Sequence, residues 1–66
     1  MYILKDEMKE KVKDLTNRYI ADKVGITETY MSQILNNRKK ASKTLAYAIS
    51  KVISSNYEIE DVFNES

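Results

Sequence analysis

The chain has 66 residues, 42% apolar and 32% charged, with 11 Lys and Arg against 10 Asp and Glu, which sets an expectation of one small domain with a net charge of +1. A domain this short buries only about 60% of the surface its unfolded form exposes, and with no Cys it has neither a disulfide nor a thiolate metal site to add support. His is also absent, which excludes zinc hydrolysis, Ser/His or Cys/His nucleophile pairs and haem ligation; with no calcium-loop pattern either, no metal, no cofactor and no enzymatic activity are expected. No apolar run approaches the ~20 residues of a membrane span and Met1–Lys5 has no signal-peptide pattern, so the expected setting is the cytoplasm, away from membranes.

Pro is absent and Gly occurs once, at Gly25, a poverty of breakers that favours helices over sheet. Leu4, Met8, Val12 and Leu15 recur at helical spacing among Lys, Asp and Glu, which predicts a first amphipathic helix over residues 4–13. Thr16 offers an N-cap hydroxyl, and Ile20, Ala21 and Val24 form the apolar face of a second helix over residues 17–24. Gly25 ends that helix as a C′ glycine, at a position that needs either φ > 0 or close approach. Ile26 and a capping Thr27 lead into a third helix over residues 28–36, with Met31, Ile34 and Leu35 inward.

Asn36–Ala41 is a polar connection in which Asn37 can take the left-handed conformation. Ser42 caps a fourth helix over residues 43–54, with Leu45, Ala48, Ile49, Val52 and Ile53 on one face. Ser54–Asn56 forms a loop, Ile59, Val62 and Phe63 mark a last short helix, and Asn64–Ser66 is expected to fray. There is no internal repeat and no low-complexity stretch. The expected fold class is all-α: a compact arrangement of five short helices around one core, spanning residues 1–66 as a single domain.

Residues 15–37 carry the functional signal. Two short helices meet at a tight turn opened by Gly25, small Ala21 lies four residues before it, and Ile26 plugs the angle between them, as in a helix-turn-helix over residues 16–36. The run Ile-Ala-x-x-Val-Gly-Ile-Thr-x-x-Tyr-Met-Ser-x-Ile-Leu-Asn-Asn, beginning at Ile20, resembles the central signature of the phage repressor/Cro family of helix-turn-helix regulators, the XRE family. The resemblance covers residues 15–53 and extends to the closing helix. Asn37 stands where the family usually has Gly, Ala41 where it often has Pro and Asn17 where it often has Gln, each keeping a workable conformation or hydrogen-bonding capacity.

The resemblance implies a sequence-specific regulator of double-stranded operator DNA, a Cro-like repressor of a phage or prophage, whose third helix enters the major groove. Its outward residues are Glu28, Thr29, Tyr30, Ser32, Gln33 and Asn36, where the bland alternative is an ordinary solvated face. Glu28, Thr29 and Gln33 match the family's base-reading positions, with Ser32 beside them at the groove wall. Gln33 can bond an adenine edge in bidentate fashion, Glu28 can accept from a cytosine amino group, and the Thr29 methyl can touch a thymine methyl. Tyr30 and Asn36 fall to the DNA backbone, as do Thr16 and Asn17 at the second helix's N-terminus and the Thr27 hydroxyl. Arg38, Lys39, Lys40 and Lys43 form a basic cluster after the third helix, where the family's loop meets phosphates; such a run is otherwise simply solvated.

Near-neutrality conceals polarity along the chain. Residues 1–14 set four Lys against four acids; residues 15–43 hold Arg18, Lys23, Arg38, Lys39, Lys40 and Lys43 against Asp22 and Glu28, a net +4; residues 44–66 hold Lys51 against Glu58, Glu60, Asp61 and Glu65, a net −3. Affinity for a polyanion follows the local patch, not the total. The acids at residues 58–61 suit a solvated helix start, and the five scattered Tyr suit core or interface filling, not a stacking platform. Tyr57, Ile59, Val62 and Phe63 are candidates for a homodimer contact, since regulators of this family are commonly two-fold dimers; the alternative is core packing. The length is expected to leave no room for an effector domain, an inducer pocket or another small-molecule site. The alternative function is a protein-interaction module on the same fold, acting as an antirepressor, an antitoxin or an inhibitor of a host system.

Overall fold

Residues 1–66, all described in the computed structural model, run as β1 (Tyr2–Leu4), a 3-10 turn (Asp6–Met8), α1 (Lys9–Leu15), α2 (Asn17–Val24), α3 (Glu28–Leu35), α4 (Lys43–Ile53), α5 (Ile59–Val62) and β2 (Phe63–Glu65). Hydroxyl caps set where the three central helices begin. Thr16 Oγ1 accepts from Tyr19 N–H at 3.2 Å, Thr27 Oγ1 from Tyr30 N–H at 3.0 Å and Ser42 Oγ from Leu45 N–H at 3.2 Å. Each occupies a first-turn donor that has no partner inside its own helix. The short α5 begins differently: the Asp61 carboxylate accepts from Glu58 N–H at 2.8 Å.

The ends follow local chemistry too. Gly25 is left-handed (φ 82°), and both its N–H and that of Ile26 donate to Ala21 O, at 2.9 and 3.0 Å. A Cβ placed at Gly25 would meet nothing within 4 Å, so the glycine is there for its φ and not for space. Asn37 takes φ 62°, as expected of a short polar side chain in that region.

Thirteen apolar residues form the buried core, drawn from every element and from Ala41 in the connection before α4. α2 packs chiefly against α3 and α4, with Ile20, Ala21, Met31, Ile34 and Ile49 sealed between them. Val24 and Ile26 pack at the margin of this core, half-buried. On α4 the most deeply buried face is Ala46, Ile49 and Ser50; of the expected stripe Ile49 is buried, while Leu45, Ala48, Val52 and Ile53 are half-buried at its margin. Ser50 is accommodated there because its hydroxyl donates to Ala46 O at 2.8 Å.

Five helices are present, but the fold is not purely α. β1 and β2 form a two-stranded antiparallel sheet that joins the two ends of the chain, with Tyr2 opposite Glu65, Ile3 opposite Asn64 and Leu4 opposite Phe63. Leu4 therefore enters the core from a strand. The expected first helix over residues 4–13 starts later, because Lys5 is held extended (φ −68°, ψ 141°) and its N–H donates to Val62 O at 3.0 Å. Residues 64–66 do not fray: Asn64 and Glu65 lie in β2, and Ser66 N–H donates to Met1 O at 2.8 Å.

Candidate nucleic-acid interface

α2, the Gly25 turn and α3 form the expected helix-turn-helix, and α3 keeps one face free. Met31, Ile34 and Leu35 are buried, Glu28, Thr29 and Asn36 are exposed, and Tyr30, Ser32 and Gln33 are half-buried. Glu28 and Thr29 open the helix and Gln33 follows them at helical spacing, so the three base-reading candidates share the accessible side. Asn36 turns back instead of outward: its Nδ2 donates to Ser32 O at 3.0 Å, with Ser32 Oγ at 3.5 Å.

The phosphate candidates surround that face. Thr16 and Thr27 are exposed, and each cap uses a lone pair of the hydroxyl oxygen, leaving the O–H free to donate to an anion. Thr16 carries a cost. A β-branched residue at φ 74°, ψ 144° is strained, and it sits where α1 ends and α2 begins with no linker between them. Asn17 beside it is half-buried, and its Oδ1 is buried with no hydrogen-bond partner. Two unfavourable features thus fall on adjacent residues at the N-terminus of α2, the end that presents free N–H groups.

Charge is distributed accordingly. Arg18, Lys23, Arg38, Lys39, Lys40 and Lys43 are all exposed, and none is in a salt bridge. The two ion pairs lie outside residues 15–43, between Lys9 and Asp6 at 3.2 Å and between Lys51 and Glu58 at 3.8 Å. The basic residues of the motif therefore keep their charge uncompensated by neighbours. Within the helix-turn-helix the structure adds one surface pair: Tyr19, 47% exposed, with the Lys23 ammonium 5.5 Å from its ring centroid on the outer face of α2. Its i, i+4 spacing was the available signal.

The dimer candidates divide. Val62 and Phe63 are buried in the core at 0% and 2% exposure, so they have no surface to offer a partner; burying a large aromatic beside Leu4 is what closes the sheet onto the helices. Tyr57 and Ile59 are half-buried at the core's margin. Tyr57 lines a surface groove with Lys11, Asp14, Leu15, Ile53 and Ser54.

A family model described as helix-turn-helix matches residues 8–58, which is most of the chain. The protein belongs to this family, the XRE-type helix-turn-helix proteins, and is a DNA-binding transcription regulator. No match was found among curated proteins or solved structures. No helix is long and apolar enough to cross a membrane.

Proposed function

We propose that residues 1–66 act as one DNA-binding domain of a Cro-like phage or prophage repressor, which reads operator DNA in the major groove with α3 and represses by occupying the site. The observation that carries this reading is the accessible side of α3, with Glu28 and Thr29 exposed and Gln33 half-buried, set among six exposed cations with no ion-pair partner. In it, Gln33 reads an adenine edge, Glu28 a cytosine amino group and Thr29 a thymine methyl, with Ser32 and Tyr30 at the groove wall. Thr16, Asn17, Thr27, Arg38, Lys39, Lys40 and Lys43 hold the phosphates and fix register without carrying sequence information. No catalytic step, cofactor or small molecule enters this mechanism, and it operates in the cytoplasm.

One such domain has few base contacts, so selectivity calls for two copies on half-sites about one helical turn apart. Tyr57 and Ile59, with the groove beside Tyr57, are the surface for that pairing. Sedimentation with and without duplex tests it, and a protein that stays one copy per site on a two-half-site operator refutes it.

The central test is a mobility-shift titration on DNA flanking the gene at two salt concentrations. Gln33→Ala is expected to cost about 1–3 kcal/mol at one base position, while Lys39→Ala weakens binding to all sequences and lowers the salt slope by about one. Unchanged operator discrimination in Gln33→Ala refutes α3 as the reader. Absence of any duplex binding by the unaltered protein moves the assignment to a protein partner, for which exposed Glu28 on the same face would be a contact.

A further inference from the structure

Outside the helix-turn-helix, one contact is aimed at its basic loop. Tyr2 N–H donates to Ala41 O and Ala41 N–H donates to Tyr2 O, both at 2.8 Å. β1 therefore has a neighbour on each side, β2 on one and Ala41 on the other. Ala41 is 0% exposed, so the far end of the connection after α3 is held by two backbone bonds and a buried side chain. The near end is held by α3 itself, where Gln33 O accepts from Arg38 N–H at 2.8 Å and from Lys39 N–H at 3.3 Å. Asn37, left-handed at φ 62°, reverses the chain between them. Arg38, Lys39 and Lys40 thus lie on a short arc fixed at both ends, all three exposed and free of ion pairs.

We propose that the Tyr2–Ala41 bridge positions the phosphate-binding arc, so that affinity for DNA depends on terminal strands that touch no DNA. An arc anchored only at Gln33 would let its cations swing away from the phosphates, and those contacts would be lost; the second anchor holds the cations where the contacts can be made. Tyr2 and Ala41 act here as positioning residues through their backbone groups. The inference rests on the DNA reading above, and the test separates the two.

The measurement is the salt dependence of binding to a mixed-sequence duplex of about 20 base pairs, long enough for two helical turns. Ala41→Pro removes one donor of the bridge and Tyr2→Pro removes the other, whereas Tyr2→Ala removes the ring and keeps both bonds. Each proline variant is expected to lower the salt slope by about one for every cation released, with affinity falling roughly tenfold per cation at about 0.1 M salt and converging on the original near 1 M. Tyr2→Ala is expected to keep the original slope. Proline variants that are folded at the assay temperature and keep that slope overturn the inference, because loss of stability alone does not change the number of phosphates contacted.

A second measurement needs no variant. By reciprocal linkage, duplex binding must slow amide hydrogen exchange at Tyr2 and Ala41 in the unaltered protein if the bridge favours the bound state. Unchanged exchange at both amides overturns the inference even if the proline variants do not fold. An unaltered protein that binds no duplex at low salt overturns the DNA reading and the inference together, whereas binding with unchanged exchange and slope overturns the inference alone.

Discussion

The helix-turn-helix and the terminal sheet of this small domain are held by opposite kinds of contact. In the former, caps three residues apart, a left-handed glycine and the packing of adjacent α2 and α3 close a unit within one stretch of chain. In the latter, Leu4 pairs with Phe63, Ser66 bonds to Met1, and Tyr2 bonds to Ala41, so every contact joins distant parts of the sequence. Local contacts form at little entropic cost, while distant ones repay a long loop closure only through what they bury. The local unit thus shapes the accessible side of α3, and the distant one closes the core and holds the far end of the loop that carries Arg38, Lys39 and Lys40.

The most forceful way to break this comparison is Phe63→Ala. Removing a core aromatic at 2% exposure is expected to cost about 3–5 kcal/mol. That is much of the roughly 3–10 kcal/mol that a chain of this length can hold. Urea unfolding followed by circular dichroism would show it, and a loss below about 1 kcal/mol would make the sheet a mere appendage.

A smaller effect, inside the local unit, sharpens the account of the turn. Gly25→Ala is expected to cost about 1 kcal/mol from φ alone, and Gly25→Asn less, since nothing crowds the position. Equal losses for the two in thermal unfolding would argue for a packing role instead. The last expected change, of similar size, is a gain. Thr16→Gly relieves a strained φ of 74° and sacrifices a cap for which Gly is a fair substitute, for a net of about 1 kcal/mol of added stability. Weaker binding to DNA should accompany that gain, because the hydroxyl donor is lost; a variant both stabler and equally tight would remove Thr16 from the phosphate contacts.

Legibility followed the same division. The bounds of α2, the caps at Thr16, Thr27 and Ser42, and the left-handed Gly25 and Asn37 are all visible in residue types and helical spacing. The face proposed to read bases was legible for a related reason: once Met31, Ile34 and Leu35 are assigned inward, Glu28, Thr29 and Gln33 have the accessible side left to them. The strain at Thr16 was not visible, since it arises where α1 meets α2 without a linker. Nor was the unpaired Asn17 Oδ1, because hydrogen-bond satisfaction depends on neighbours from other elements.

By itself the sequence determined the three central helices, their turns and the polarity of charge, because caps, periodicity and the conformational freedom of Gly and Asn act over a few residues. Only the tertiary structure decided the ends. Tyr2–Leu4 and Phe63–Glu65 are three-residue strands, too short to show a period. Their pairing exists because Leu4 and Phe63 share one core, and that distant agreement turns an expected helix start and an expected frayed tail into the sheet that grips Ala41.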